Sequence, residues 1–114
     1  MLKTIPDLMR ELSVNIRCIS AEQAAKEVLT NNGLFIDVRE PAEHENSFVP
    51  GTINIPRGVL EGKMLELEKD PVRAIYIHCA GGVRASFAAE QLNRLGYENV
   101  TAITCKFDIV KKAF

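Results

Sequence analysis

The chain has 114 residues, of which 46% are apolar and 25% charged, and this composition predicts one globular domain with a single hydrophobic core. Its 14 basic and 15 acidic residues leave no positive excess for binding nucleic acid or an anionic membrane. No apolar run approaches the roughly 20 residues of a membrane span, and the first residues lack the apolar segment of a signal peptide. Three cysteines without regular spacing argue against a disulfide framework and favour a reducing, cytoplasmic location.

Hydrophobic periodicity predicts an N-terminal extension, residues 1–14, followed by one domain, residues 15–114. The predicted strands are the short apolar runs 15–19, 34–36, 52–55, 74–78 and 99–104. The predicted helices are a short one at 7–12, one that begins at Ser20 and stops at 31–33, and then 59–67, 84–95 and 108–114. Strands that alternate with helices at this spacing indicate an α/β fold, a small parallel sheet of about five strands with helices on both faces.

Several local expectations accompany this assignment. Ser20 and Gln23 fit a capping box at the start of the second helix. Cys18, in the middle of a strand, is expected in the core, and helix 59–67 is expected to be exposed. Residues 39–56 are expected to be irregular, apart from the strand at 52–55 and a solvated helical turn around Glu40, Glu43 and His44. The residues expected to face inward from the two longer helices are Ala21, Ala24, Ala25, Val28, Leu29, Ala85, Ala88, Ala89, Leu92 and Leu95.

Cys79 follows the apolar strand 74–78 directly, where a buried strand reaches the carboxyl edge of the sheet at which ligands collect. Gly81 and Gly82 allow the backbone angles of a loop whose N–H groups converge on an anion. The helix that starts near Arg84 adds positive potential at its N-terminus. These features favour a thiolate that attacks or carries a negatively charged group. The alternative is a buried structural cysteine.

Four segments of the chain resemble the single-domain rhodaneses, a family of sulfurtransferases, and the resemblance covers residues 15–114. The segments are Phe35-Ile36-Asp37-Val38-Arg39-Glu40-Pro41, Pro50-Gly51-Thr52-Ile53-Asn54-Ile55-Pro56, Cys79-Ala80-Gly81-Gly82-Val83-Arg84 and Leu95-Gly96-Tyr97-Glu98-Asn99-Val100. The chain departs from the family at Ser47-Phe48-Val49, where the family has Gly-His-Ile. It departs again at Cys105-Lys106, where the family has Gly-Gly.

The resemblance implies that Cys79 accepts a sulfur atom from a donor such as thiosulfate, becomes a persulfide and passes the sulfur to an acceptor. The acceptor would be a thiol such as thioredoxin or glutathione, or cyanide in vitro. The backbone of Ala80, Gly81, Gly82 and Val83 would bind the charged sulfur, and Arg84 would bind the donor's anionic end. No cofactor is implied, and no Cys/His cluster has the spacing of a metal site.

Loop length distinguishes the chemistries of related families. Rhodaneses similar to this chain have four residues between cysteine and arginine, as 80–83 do here, whereas the related phosphatases and arsenate reductases have five. The sequence therefore favours sulfur transfer over a phosphatase or an arsenate reductase. A sulfur-carrier or protein-interaction module without turnover stays open. The uncharged Ala80, where other members have arginine or lysine, predicts weak turnover of free thiosulfate.

Other residues receive supporting roles. Asp37 and Arg39 follow the neighbouring strand and are expected to fix the catalytic loop through an ion pair, with direct substrate contact by Arg39 as the alternative. Cys105 lies at the same edge of the sheet as Cys79 and is a candidate resolving thiol. Strand alternation points His78 away from Cys79, which favours packing or a backbone hydrogen bond over catalysis.

Overall fold

Five parallel strands form the centre of the molecule in the order β1-β5-β4-β2-β3. The computed structural model describes residues 1–114. The strands are β1 (Arg17–Ile19), β2 (Leu34–Asp37), β3 (Ile53–Asn54), β4 (Ile75–His78) and β5 (Val100–Ile103). The helices are α1 (Ile5–Ser13), α2 (Ala21–Asn31), α3 (Pro41–Asn46), α4 (Leu60–Leu67), α5 (Val83–Leu95) and α6 (Phe107–Ala113), with a 3-10 turn at Arg57–Val59. The predicted α/β fold with a five-stranded parallel sheet is confirmed.

Strand β4 occupies the middle of the sheet, and all four of its residues are buried. It pairs with β5 on one side and with β2 on the other, so that Ile77 is opposite both Ala102 and Ile36. The register places Asp37, the last residue of β2, beside His78, the last residue of β4. The segments that follow these strands therefore start at one edge of the sheet.

Two apolar clusters fill the spaces above and below the sheet. Alternate residues of β2 and β4 belong to different clusters, because successive side chains of a strand point to opposite faces. The larger cluster joins Leu34, Ile36, Ile75 and Ile77 to residues of α4 and α5, including Leu60, Met64, Ala88 and Leu92. The smaller one joins Phe35 and Tyr76 to residues of α2 and α6, including Ala24 and Val110. Helices thus cover both faces.

Helix α2 illustrates how local sequence sets an element's ends. The Ser20 hydroxyl accepts the N–H of Gln23 at 3.1 Å, which satisfies one of the unpaired donors of the first turn. The reciprocal half of the predicted capping box is wrong, because the Gln23 side chain does not accept the N–H of Ser20; its Nε2 donates to Glu27. The helix ends at Asn32, which adopts a left-handed φ of 54°.

Helical rotation explains two errors in the predicted core. Leu29 and Leu95 were expected to face inward, yet Leu29 is 88% and Leu95 39% exposed. Each helical residue turns by about 100°, so both leucines fall outside the arc on which the buried residues of their helices lie. Cys18 is also exposed, because β1 is an edge strand of the sheet.

The expectations for the segment between β2 and β4 are met in part. The predicted helical turn around Glu40, Glu43 and His44 is present as α3, which begins at Pro41 with Glu40 as its N-cap. Helix α4, which was expected to be exposed, is exposed on one side only, because Leu60 and Met64 are fully buried whereas Leu65 and Leu67 are about half exposed. None of the six helices has the length and apolar character needed to cross a membrane.

The burial of Leu60 makes a testable prediction. Replacing Leu60 by alanine should lower the free energy of unfolding by about 2–5 kcal/mol, because the substitution leaves a cavity in the larger cluster. Leu65→Ala on the same helix is the matched control, since Leu65 is 47% exposed, and its effect should be well below that of Leu60→Ala. Urea unfolding measures both, and equal losses would contradict this packing of α4.

Candidate active site

Cys79 lies immediately after the central strand and is 1% exposed. Its Sγ accepts two backbone hydrogen bonds, from the N–H of Gly82 at 3.0 Å and from the N–H of Ala85 at 3.3 Å. Ala85 belongs to the first turn of α5, whose N–H groups have no acceptor within the helix. Two N–H dipoles and a helix N-terminus therefore converge on the sulfur, an arrangement that stabilises negative charge there.

Gly82 fixes the shape of the loop around this sulfur. Its φ of 100° is left-handed, and a Cβ at this position would lie 2.8 Å from the carbonyl oxygen of Thr104. The loop is also tied down at Ala80, whose carbonyl accepts the N–H of Phe107 at 2.9 Å. Gly81 differs, since its φ is not positive and a Cβ there would meet nothing within 4 Å. Only one of the two glycines is thus required by the backbone.

Arg84 forms a two-pronged ion pair that the sequence did not reveal. Its Nη1 lies 2.7 Å from Oε1 of Glu43, and its Nη2 lies 3.1 Å from Oε2. The Arg84 guanidinium is the main reason that the pKa of Glu43 falls to about 2. Glu43 was expected to belong to a solvated turn, but it is partly buried and paired with Arg84. The partners lie 41 positions apart in the chain, so no local signal reveals this contact.

A buried carboxylate supports the same region from the end of β2. Asp37 is fully buried and accepts hydrogen bonds from Nε and Nη2 of Arg39, the latter at 2.8 Å. Oδ2 of Asp37 also lies 2.9 Å from Nδ1 of His44 on α3. Burial raises the pKa of Asp37, but the hydrogen bonds from Arg39 and His44 outweigh this effect and the net pKa is lowered. The expected ion pair is thus present, and its role in positioning the loop stays a prediction.

Arg39 is committed to the protein rather than to solvent. Its Nη2 also donates to the carbonyl of Ser47 at 2.7 Å, and its guanidinium lies 4.1 Å from the centre of the Phe107 ring. The residue is only 5% exposed. This geometry favours the ion-pair interpretation of Arg39 over direct contact with a substrate.

His78 packs on the opposite side of the sheet from Cys79, as strand alternation predicted. It is fully buried, with its ring centre 5.3 Å from that of Phe35. Its Nδ1 lies 3.4 Å from the Cys79 carbonyl, and its Nε2 has no hydrogen-bond partner. Burial lowers the pKa of His78, which favours the neutral ring. The packing interpretation of His78 agrees with these contacts.

The other two cysteines have different surroundings. The Sγ of Cys105 accepts the N–H of Ala21 at 3.4 Å, and Cys105 packs against the smaller cluster, whereas Cys79 belongs to the larger one. All three cysteines are free thiols. The resolving role of Cys105 stays a prediction. No three His, Cys, Asp or Glu side chains are grouped so that they could hold a metal ion.

Comparison with known proteins agrees with this geometry. A family model described as Rhodanese-like domain matches residues 20–108. The chain belongs to the rhodanese-like domain family. The matched segment contains the whole Cys79 loop together with Asp37, Arg39 and Glu43.

Two curated relatives share part of this rhodanese-like domain. A proposed sulfur carrier protein of Bacillus subtilis is 35% identical over 83 residues, which cover 72% of this chain and 44% of the relative. A sulfurtransferase of Allochromatium vinosum is 32% identical over 71 residues, which cover 62% of this chain and 64% of the relative. The matched segment thus spans about half the length of these relatives.

A solved structure resembles the domain over nearly its whole length. It is a protein of unknown function from Rhodopseudomonas palustris, described as a possible tyrosine phosphatase. It superimposes with a TM-score of 0.82 at 23% identity and covers 99% of this chain and 92% of that one. At this identity the likeness shows a common fold.

The close approach of Gly82 to Thr104 can be tested by substitution. Gly82→Ala should destabilise the rhodanese-like domain by about 1–3 kcal/mol, because alanine is strained at a left-handed φ and its Cβ meets a backbone oxygen. Gly81→Ala, on open space, is the control and should change stability far less. Urea unfolding of both variants decides the matter, and an equal loss at Gly81 would contradict this loop geometry.

The buried ion pair predicts a pH dependence of stability. Asp37→Asn should cost about 3–5 kcal/mol at neutral pH, because it leaves the Arg39 charge buried without its counter-charge. The pKa of Asp37 in the folded protein lies below its usual 3.8. The ion pair therefore contributes its full stabilisation of the folded state above about pH 3.8, and this contribution is lost as the pH falls through the lowered pKa.

The free energies of unfolding of wild type and Asp37→Asn, measured at about pH 7 and about pH 3, should therefore differ less at the lower pH. Asp70→Asn, at an exposed position, should differ little from wild type at both pH values. A difference for Asp37→Asn that widens in acid would contradict this assignment.

Proposed function

We propose that this domain transfers sulfane sulfur through a persulfide on Cys79. The observation that carries the proposal is the pair of N–H donors from Gly82 and Ala85 on a thiol at the end of the central strand. The loop has four residues between Cys79 and Arg84, the length expected of sulfurtransferases. The sulfurtransferase relative from Allochromatium vinosum supports the same reaction class.

In the first step, the Cys79 thiolate attacks the outer sulfur of a donor. With thiosulfate as donor, the new bond joins Sγ to the sulfane sulfur, the sulfur–sulfur bond of thiosulfate breaks and sulfite leaves with the bonding electrons. With a hydropersulfide R–S–SH, the same attack releases R–S⁻, which takes up the proton of the transferred sulfur. The product in both cases is the Cys79 persulfide anion, so charge and atoms balance without an added oxidant.

In the second step, an acceptor thiolate attacks the outer sulfur of the persulfide and restores the Cys79 thiolate. Glutathione or thioredoxin would serve as acceptors, and cyanide would leave as thiocyanate in vitro. A reducing compartment such as the cytoplasm would keep the thiols of acceptor and enzyme available.

The loop residues divide the work of binding charge. The N–H groups of Gly82 and Ala85 hold Sγ, and those of Val83 and Arg84 belong to the same first turn, where a helix supplies no acceptor. These two would bind the transferred sulfur or the donor's anionic end together with the backbone of Ala80 and Gly81. The Arg84 guanidinium lies beside the loop, but its ion pair with Glu43 would have to open before it could bind the donor. Asp37 and Arg39 would position the chain behind the loop.

Two other functions are testable alternatives. A sulfur carrier that is loaded once and delivers to one partner is favoured by the Bacillus subtilis relative. A phosphatase finds support only in the description of the Rhodopseudomonas palustris protein, and the loop of this chain is one residue shorter than a phosphate loop.

Incubation with thiosulfate should add one sulfur atom, about 32 Da, to the wild-type protein by forming the persulfide. Intact mass spectrometry measures the gain, which cyanide or a thiol should remove. Cys79→Ser should show none, whereas Cys18→Ser and Cys105→Ser should load like wild type. Loading that survives in Cys79→Ser would overturn the assignment of the nucleophile.

Turnover separates the remaining alternatives. A sulfurtransferase supplied with thiosulfate and an acceptor releases sulfite continuously. A carrier stops releasing sulfite after one equivalent per protein molecule. Hydrolysis of an aryl phosphate with no sulfur loading would favour the phosphatase.

A further inference from the structure

The cation nearest the catalytic loop in sequence, Arg84, is paired with an acidic side chain from another element. The two terminal guanidinium nitrogens that could bind the anionic end of a donor, Nη1 and Nη2, already face the two oxygens of Glu43. The two side chains remain about one-third exposed, 34% for Arg84 and 37% for Glu43. The pair therefore lies at the surface of the loop with its charges largely cancelled.

Glu43 is held in place independently of Arg84. Its Oε1 accepts the N–H of Glu40 at 2.9 Å, which caps the start of α3. His44, the next residue, is fixed by Asp37, whose carboxylate is fully buried. A surface ion pair usually contributes little because both side chains must be ordered. Here the carboxylate is ordered in advance, so less entropy is lost when Arg84 binds it.

The pairing changes what the loop attracts. A free arginine beside Cys79 would favour thiosulfate, a dianion, over a donor with a smaller charge. When Glu43 is bound to Arg84, the two side chains form a pair without net charge. Arg39 adds no unpaired charge either, because it is bound to Asp37. Lys106 is exposed near the loop, but its charge is the same whether Glu43 is present or replaced. The backbone N–H groups then remain the main attraction, and they suit the single charge of a persulfide.

We propose that Glu43 is a specificity-determining residue, which occupies Arg84 and thereby favours hydropersulfides of thiols over thiosulfate as sulfur donors. This inference rests on the proposed sulfur transfer through Cys79. The favoured reaction is the one written above, in which Cys79–S⁻ and R–S–SH give the Cys79 persulfide anion and R–SH.

The variant Glu43→Gln isolates this effect. Glutamine has the same shape, and its amide oxygen can still accept the Glu40 N–H, so α3 keeps its cap. It removes the negative charge and leaves Arg84 free for a sulfonate. The matched control is Glu45→Gln, which makes the same change at an exposed position of the same helix.

The measurement is the rate of Cys79 persulfide formation, followed by mass spectrometry, with thiosulfate and with cysteine hydropersulfide. The ammonium and carboxylate of the latter cancel, so it carries a smaller net charge than thiosulfate. Glu43→Gln should raise the ratio of the thiosulfate rate to the hydropersulfide rate roughly five- to tenfold, as expected for one unit of partly screened charge. Glu45→Gln should leave the ratio at the wild-type value.

The outcomes separate the two proposals. If wild type forms no persulfide with either donor, the proposed function fails. If wild type loads normally and Glu43→Gln has the wild-type ratio, or Glu45→Gln shifts it equally, the role of Glu43 is overturned. Glu43→Ala, which removes the cap as well as the charge, must shift the ratio in the same direction as Glu43→Gln. A urea unfolding curve for each variant confirms that folded proteins are compared.

Discussion

The pairing of the buried Asp37 carboxylate with Arg39 and His44 is the interaction on which the geometry of this site depends. A fully buried charge is costly unless it is paired, and the pairing with Arg39 and His44 fixes two segments at once. Arg39 binds the carbonyl of Ser47 beyond α3 and stacks on Phe107 at the start of α6. The same helix α3 presents Glu43 to the catalytic loop. One buried anion at the end of β2 thus pairs with two residues, Arg39 and His44, close to the Cys79 loop.

The surroundings of the sulfur contain backbone dipoles and charged side chains, which act at different distances. Backbone dipoles from Gly82 and Ala85 act on Cys79 itself, at fixed distance and without a side chain that could swing away. The side-chain charges of Arg84 and Glu43 act further out, where a donor would arrive, and they largely cancel. Backbone donors therefore surround the sulfur, while the side chains beside it do not form a strongly cationic entrance. In the proposed reaction, the backbone would stabilise the reacting sulfur and the side chains would recognise the sulfur donor.

The sequence predicted the elements that local pattern controls and failed where distant partners decide. Continuous apolar runs and a cysteine followed closely by two glycines were enough to place β4, α5 and the Cys79 thiol between them. Periodicity could not tell that α4 buries Leu60, because a short helix near a sheet edge is buried by what lies over it. The Glu43–Arg84 pair joins residues 41 positions apart, and each alone looks like a solvated charge. Cys18 was misplaced for a related reason, since the pattern does not show which strand lies at an edge.

The depth of Cys79 affects how the protein responds to thiol-labelling reagents. With 1% of the residue exposed, its sulfur offers very little access to a bulky group. Cys18, on the edge strand, is open to solvent. Alkylation with a large maleimide therefore marks Cys18 ahead of Cys79. A survey of cysteine reactivity based on such reagents would rank the thiols by steric access and pass over Cys79, the thiol to which the proposed sulfur transfer is assigned.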